Sequence, residues 1–337
     1  MNSQRSIGWG VVATGNIAHS VTGDLQLLEN SRVAAVSSRE RARAEAFAKE
    51  FGIDQAYDDV DALIDDDAVD VVYVATPHAQ HSAIVRSALE AGKAVLCEKS
   101  FTTTLADTEK LVALARERGV FCMEAMWTRF NPLIVKVREL VADGRIGEVR
   151  SVSAELGMIG PDDPHHRLWD PALGGGALLD VGVYPVAFAQ MLLGTPAEVR
   201  VTGSLTARGV DAEAGLMLSW PGGARAHLEA SLVSPVPGGA VILGTEGRIE
   251  IPPRFHSPAL IRYVHTPARG VEEPELHDAD REGRGYVPML RAVAQAVREG
   301  RTECAQMPLS DTIDVMRILD EALRSLGVQY PDPAPMS

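Results

Sequence analysis

The sequence predicts an α/β fold: an N-terminal Rossmann domain with a doubly wound parallel sheet, then a C-terminal α+β domain on a large, mostly antiparallel open sheet. Three observations lead there. Through residue 124, short apolar runs alternate with helical patterns, which implies parallel strands with helices on both faces. A glycine-centred turn, Ala13-Thr14-Gly15-Asn16-Ile17-Ala18, joins the first strand to the first helix. After Glu148 the texture changes to alternating strands separated by glycine-rich turns.

At 337 residues the chain is long for one domain and comfortable for two. The division falls at 1–124, a dinucleotide-binding domain, and 125–337, a substrate and dimerisation domain. A hydrophobic content of 46% suits a soluble globular protein with a large core. The formal charge of −14, from 32 basic and 46 acidic residues, disfavours nucleic acid and anionic membranes as partners. No leader is expected from the first ten residues, and no stretch reaches the roughly 18–20 apolar residues of a membrane span. Cys97, Cys122 and Cys304 form no CxxC pair, which argues against a disulfide framework or a zinc site and fits a reducing cytoplasm.

In order, Ile7–Val12 reads as the first strand. In the turn that follows, an A-x-G-x-x-A version of G-x-G-x-x-G, the first position makes the tight turn and Gly15 lets backbone approach a pyrophosphate. The third, an alanine, lets the helix pack closely. That helix offers free N–H groups and its positive end to an anion. Arg32–Ser37 is the second strand. An NAD site would place Asp or Glu about 20 residues after the glycines. The residues here are Ser37, Ser38 and Arg39, and a guanidinium with hydroxyls suits a 2′-phosphate. NADP is therefore favoured over NAD.

A helix covers Arg41–Phe51, and the acidic stretch Asp58–Asp70 reads as a solvated short helix and loop. Val69–Ala75 is the third strand, and Thr76-Pro77 turns the chain. His78 and His81 flank the first turn of the next helix, which Gly92 closes. Ala94–Cys97 is the fourth strand and ends at Glu98-Lys99. Ligands of open parallel sheets bind beyond the carboxyl ends of the strands, where a charged pair is hard to explain as packing. A helix over Thr102–Arg118 and a fifth strand, Val120–Met123, complete the half. Trp127 and Arg129, in the hinge Glu124–Pro132, either cover a nicotinamide or pyrophosphate or pack between domains.

A helix over Asn131–Ala142 and a strand over Val149–Met158 follow. The loop Gly160–Asp170 precedes a glycine-opened helix, Leu173–Leu193, on which Asp180 and Tyr184 share a face at i, i+4. An acid on an apolar helix face needs a reason, since burying it unpaired costs several kcal/mol. Gly182 beside it suggests close backbone approach. Strands are expected over Glu198–Leu205, Gly215–Trp220, Ala224–Leu232, Gly239–Gly244 and Gly247–Ile251. The open face of that sheet calls for cover, commonly a second subunit. Pro267–Arg284 reads as a polar loop, Tyr286–Arg298 and Ser310–Leu326 as helices, and the last seven residues as a frayed tail.

The motifs A-T-G-N-I-A, A-T-P-H-x-x-H, E-K, E-A-M-W-T-R-F and G-G-G-A-L-L-D-V-G-V-Y, in this order over nearly the whole chain, resemble the Gfo/Idh/MocA family. They look most like its branch of dimeric dihydrodiol dehydrogenases and NADP-dependent D-xylose 1-dehydrogenases. The resemblance implies that Lys99 and Tyr184 are catalytic, supported by Asp180 and His81, and that the open sheet forms a homodimer or higher homo-oligomer. Ser100 departs from the family's proline, and Ala13 from its usual glycine.

The expected reaction moves a hydride between nicotinamide and a carbinol carbon of a small sugar, polyol or diol. Tyr184 would carry the proton, and Lys99 would lower its pKa and bond the substrate oxygen. Asp180 would orient Lys99 or a hydroxyl. His81 would bond a second hydroxyl, as would His165, His166 or Arg167. Cofactor contacts are expected from Ala13, Thr14, Gly15, Asn16 and Ile17, from Ser37, Ser38 and Arg39, and from Thr76, Pro77 and His78. Glu98, Lys99, Trp127 and Arg129 complete that set; no metal is expected. A non-catalytic NAD(P)-binding sensor, or an NAD-dependent inositol-type dehydrogenase, is the alternative; a sensor has no need of the lysine and tyrosine.

Overall fold

The computed structural model describes residues 6–266 and 274–331. Parts of the predicted loop and tail, 267–273 and 332–337, lie outside them. The chain forms two compact units. The first runs to Trp127 and takes in Arg281–Thr312; the second holds Thr128–Asp280 and Ile313–Pro333.

The first unit is a six-stranded parallel sheet. Its strands are β1 (Ile7–Val12), β2 (Ser31–Ser37), β3 (Gln55–Tyr57), β4 (Val71–Val74), β5 (Ala94–Cys97) and β6 (Cys122–Glu124), in the order β3-β2-β1-β4-β5-β6. Helices α1 (Asn16–Leu25), α2 (Arg41–Phe51), α3 (Val60–Ile64), α4 (His78–Glu90) and α5 (Leu105–Arg118) connect them. β1, β4 and β5 are buried along their whole length, as their unbroken apolar runs require in a sheet covered on both faces. The strand order reverses at β1, which pairs with both β2 and β4. A ligand crevice is expected at such a switch point. β3 is an edge strand with no apolar signal and was not among the predicted strands. α5 starts at Leu105 and not at Thr102, because the Thr104 side chain accepts from Asp107 N and caps it.

The sequence reading gives everything beyond 124 to the second domain, whereas Arg281–Thr312 packs with the first unit. Asp24 supplies a reason. This α1 carboxylate, 2% exposed, accepts from Arg284 N at 2.8 and 3.0 Å and from Tyr286 N at 2.9 Å. Tyr286 also packs on Trp127, with ring centroids 4.8 Å apart.

The second unit opens with α6 (Pro132–Ala142) and β7 (Val149–Gly157). After α7 (Val183–Leu193) come β8 (Glu198–Leu205), β9 (Asp211–Ser219), β10 (Arg225–Ser231), β11 (Ala240–Gly244), β12 (Gly247–Ile251), β13 (Leu260–His265) and β14 (Pro274–Asp278). The eight strands run β14-β13-β12-β11-β7-β10-β9-β8, antiparallel throughout except for the β10–β7 pair. β13 and β14 add two strands to those predicted, and β14 replaces part of the expected loop. Two helices, α8 (Val287–Arg298) and α9 (Leu309–Leu326), close the chain.

The expected continuous helix Leu173–Leu193 is not regular. A 3₁₀ turn, Pro171–Leu173, is followed by glycines, a π-turn at Leu178–Gly182 and only then α7. Gly174 and Gly176 take φ of +73° and +119°, which break the helix. Pro185 has no N–H to offer the Val181 carbonyl one turn back. Gly182 permits the predicted close approach: a Cβ there would stand 3.1 Å from the Ala230 Cβ on β10. Contrary to expectation, Pro171–Leu193 is long and apolar enough by composition to cross a membrane, but most of it is buried inside the protein, as befits a core helix.

The start of this segment is fixed by Asp211, which is fully buried and accepts from Leu178 N at 2.6 Å. Burial raises its carboxyl to about 6, against the pull of backbone N–H groups at Leu178, Asp211 and Ala177. A folded-state pKa above the unfolded one stabilises the protein fully at low pH, and the contribution is lost as pH rises through about 6. The shift is worth at most about 3 kcal/mol. In urea denaturation the wild type is therefore expected to lose stability between pH 4 and pH 7 relative to Asp211→Asn. An identical pH slope in both proteins would refute this.

Candidate active site

At the carboxyl ends of β1, β2, β4 and β5 the predicted turns meet. Ala13 N donates to Ser37 O at 2.9 Å, tying the first two strands together. Ala13 makes the turn with φ of +88°, a conformation that costs a side-chain-bearing residue roughly 1–2 kcal/mol. Alanine therefore fills the role that glycine fills in the standard fingerprint.

Gly15 answers a different question. Its φ of −79° and ψ of 179° suit any residue, and a Cβ added to it would meet no heavy atom within 4 Å. Nothing among the described residues requires glycine there. A pyrophosphate seated against the backbone would, and the first turn of α1 has no side-chain cap over its N–H groups. Ser37 and Thr76 each hold a buried hydroxyl with no partner among the described residues. Arg39 is exposed at the end of β2. These residues fit a dinucleotide, with Thr14, Asn16 and Ile17 around the same turn and Ser38 beside Arg39.

Beyond β5 the backbone of Lys99, Ser100 and Phe101 is held by two histidines of α4. His78 Nε2 lies 3.1 Å from Lys99 O. His81 Nδ1 lies 3.0 Å from Ser100 O and 3.2 Å from Phe101 O, while its Nε2 lies 2.9 Å from Thr76 O. His81 is fully buried, and burial pushes its pKa down, opposed by those carbonyls. This corrects one expectation: with both ring nitrogens on backbone carbonyls, His81 positions the Lys99 turn and has no nitrogen left for a substrate hydroxyl. Phe101 N donates to Glu124 Oε1 at 3.1 Å, and Tyr73 Oη donates to Glu98 Oε1 at 2.6 Å. Burial and the neighbouring Glu98 push the Tyr73 phenol well above its ordinary range. Glu98 is thus buried among protein groups, while the Lys99 side chain is half-buried. The Lys99–Ser100 peptide is cis.

In the second unit, Asp180 stands in the π-turn and Tyr184 in the first turn of α7, so their shared face is a π-to-α junction and not a regular helix. Such junctions occur frequently at functional sites. Tyr184 is 9% exposed and lies beside His256, ring centroids 5.2 Å apart. His256, on the β12–β13 connection, was missed from the sequence because one histidine in a proline-flanked loop carries no pattern. Arg167 Nη1 donates to Asp180 Oδ1 at 3.0 Å. Of the other two candidates in that loop, His166 accepts from Leu168 N with Nδ1 and so caps a 3₁₀ turn, while His165 is exposed. Trp127 and Arg129 are buried, Trp127 against Tyr286 and Arg129 through Nη2 to Gln190 Oε1 at 2.6 Å.

A parallel sheet with a phosphate-ready turn at its switch point, joined to a unit carrying a tyrosine and a paired acid, defines a dinucleotide-dependent oxidoreductase. Residues 7–126 match the oxidoreductase family with an NAD-binding Rossmann fold, Gfo/Idh/MocA, and residues 134–250 match the Gfo/Idh/MocA C-terminal domain. The chain belongs to the Gfo/Idh/MocA family.

It is 36% identical to trans-1,2-dihydrobenzene-1,2-diol dehydrogenase of Mus musculus, over 97% of this chain and 98% of the relative. Identity to the Homo sapiens enzyme of that name is 34%, with the same coverage. Among solved structures, a 3-ketoreductase from Actinomadura kijaniata in complex with NADP and TDP-benzene superposes with a TM-score of 0.83 at 28% identity, over 95% of this chain and 98% of that one. An aldose–aldose oxidoreductase from Caulobacter crescentus complexed with glycerol gives 0.85 at 27%, over 96% and 98%.

Because the space at Gly15 is open, Gly15→Val is expected to leave the melting temperature unchanged while weakening NADPH binding roughly tenfold or more, read by cofactor fluorescence titration. Undiminished binding would show that the turn does not seat the pyrophosphate.

Proposed function

We propose that the protein is an NADP-dependent dehydrogenase of a neutral sugar, polyol or vicinal diol, with Tyr184 as proton carrier and Lys99 as electrostatic partner. The observation that carries this is the immobilised Lys99 turn beyond the carboxyl end of β5, which serves packing poorly and catalysis well. The relatives add support: they are named as a diol dehydrogenase, a 3-ketoreductase and an aldose–aldose oxidoreductase, and the ketoreductase has been solved as lysine-to-alanine and tyrosine-to-phenylalanine variants.

When bound, the nicotinamide supplies the hydride acceptor or donor. The protein supplies the rest. The Lys99 ammonium donates to the substrate oxygen and stabilises charge developing there. Tyr184 takes the hydroxyl proton in oxidation and returns it in reduction. A tyrosine ordinarily titrates near 10, too high for a base at neutral pH, so the mechanism requires Lys99 and Tyr184 to meet at one substrate, where the lysine's charge favours phenolate. Arg39 would take the 2′-phosphate.

Expected outcomes follow for a screen of NADP+ reduction across aldoses, inositols and trans-dihydrodiols. Lys99→Ala and Tyr184→Phe should each lower kcat/KM on the best substrate by roughly 100-fold or more while still binding NADPH. Near-normal turnover in both would overturn the assignment, and NADPH binding without turnover of any substrate would favour a sensor.

We also infer a homodimer through the open face of the eight-stranded sheet. A depression of about 740 Å³ crosses that face, lined by residues that include Glu155, Arg200, Met217, His227 and Glu229, and Met217 is 49% exposed. Met217→Asp should shift sedimentation equilibrium toward monomer; a wild type already monomeric would exclude the dimer.

A further inference from the structure

Arg284 has a fixed backbone and an uncommitted charge. It belongs to the stretch Arg281–Thr312, which packs with the first unit. Asp24, which fixes it, stands in the last turn of α1, where the negative end of the helix disfavours a carboxylate. Both carboxylate oxygens go to main chain: Oδ1 accepts from Arg284 N at 2.8 Å, and Oδ2 accepts from Arg284 N at 3.0 Å and Tyr286 N at 2.9 Å. The flanking glycines allow this approach. Gly283 takes φ of +56°, and a Cβ on it would come within 2.3 Å of Asp24 Oδ1. Gly285 takes φ of +104°, and a Cβ there would press on the Trp127 ring at 3.1 Å. The point from which the Arg284 side chain departs is therefore set.

Its far end is not. Arg284 is exposed, and among the described residues its guanidinium makes one long bond, Nη1 to Ser20 Oγ at 3.4 Å. The acids beside it are committed elsewhere, Asp24 to the main chain and Glu282 to Arg291. Ser20 lies four residues after Asn16, the first residue of α1, so the two share a helix face one above the other. One turn rises about 5.4 Å. The donor fork thus rests about one turn from the N–H groups that open α1, which carry no side-chain cap. An exposed side chain changes rotamer in nanoseconds or less, and arginine's long stem spans a helical turn.

We propose that Arg284 is a further cofactor-binding residue, which turns toward the opening of α1 and pairs with the pyrophosphate of a dinucleotide seated on the Gly15 turn. The inference rests on the cofactor reading of that turn and adds to it a cation from the far end of the chain. A helix start offers an anion only about half a positive charge, and the net charge of −14 works against it. A guanidinium meets phosphate oxygens with two parallel N–H bonds. The two arginines then read different anions: Arg39 one that NADP alone carries, Arg284 one that NAD and NADP share.

The test is fluorescence titration of NADPH and of NADH into the wild type and its variants. Arg284→Met keeps the backbone N–H that Asp24 holds, so the melting temperature stays as in wild type. It weakens both dinucleotides by roughly tenfold and leaves the ratio of their affinities unchanged. Arg284→Lys preserves the charge and recovers part of the loss. Arg39→Met, by contrast, weakens NADPH alone. Undiminished affinity in Arg284→Met, a loss confined to NADPH, or a loss that Arg284→Lys does not relieve overturns the proposal. The two readings fail separately: a wild type that binds neither dinucleotide sinks the cofactor reading as well, whereas equal binding by wild type and Arg284→Met sinks only the role of Arg284.

Discussion

The carbonyls of Lys99, Ser100 and Phe101 face two histidines of α4, and the first unit's share of the site depends on that clamp. A buried carbonyl left without a donor costs about 1–3 kcal/mol, and a loop passing over the ends of buried strands has no ladder to satisfy it. His81 does more than fill the gap. Its second nitrogen lies on Thr76 O, so one side chain spans the turns after β4 and β5 and holds them in register. The clamp leaves the Lys99 side chain half-buried beyond the carboxyl end of β5, the side of the sheet on which open parallel sheets take their ligands.

The second unit solves a parallel problem by other means. A helix start buried in protein needs acceptors for its free N–H groups, and Asp211 provides one from a neighbouring strand. The Gly174–Gly176 run lets the Arg167 loop seal against that start. The π-turn then sets Asp180 under Arg167 and leads directly into the turn that bears Tyr184. Glycines, a buried acid and a proline are each unfavourable in a helix taken alone. Together they build a junction whose path is fixed, a local conflict of the kind expected at functional sites.

What the sequence made legible follows from burial. β1, β4 and β5 are covered on both faces and announce themselves as apolar runs, and the strand-to-helix turn around Gly15 falls where its residues place it. β3 and β14 lie at sheet edges, where pairing on one side and solvent on the other leave little pattern. β13 does carry one, with buried Ile261 and Tyr263 alternating with exposed Arg262. The return of Arg281–Thr312 to the first unit rests on backbone N–H groups meeting Asp24, which side-chain periodicity cannot report, although an acid on α1 was a hint. Among the candidate site residues, Lys99 and Asp180 stand out in the sequence as charges in apolar surroundings, and Tyr184 enters through the family resemblance. The roles of His81 and His166 were not, because a histidine bonded to main chain looks in sequence like one waiting for a ligand.

The most direct measurement is the fate of a labelled hydrogen. With an aldose deuterated at C1, NADP+ and the wild-type protein, the account predicts deuterium at C4 of the nicotinamide in the NADPH formed, read by NMR. Deuterium released to solvent, or NADPH formed without label, would contradict direct hydride transfer and with it the roles given to Lys99 and Tyr184.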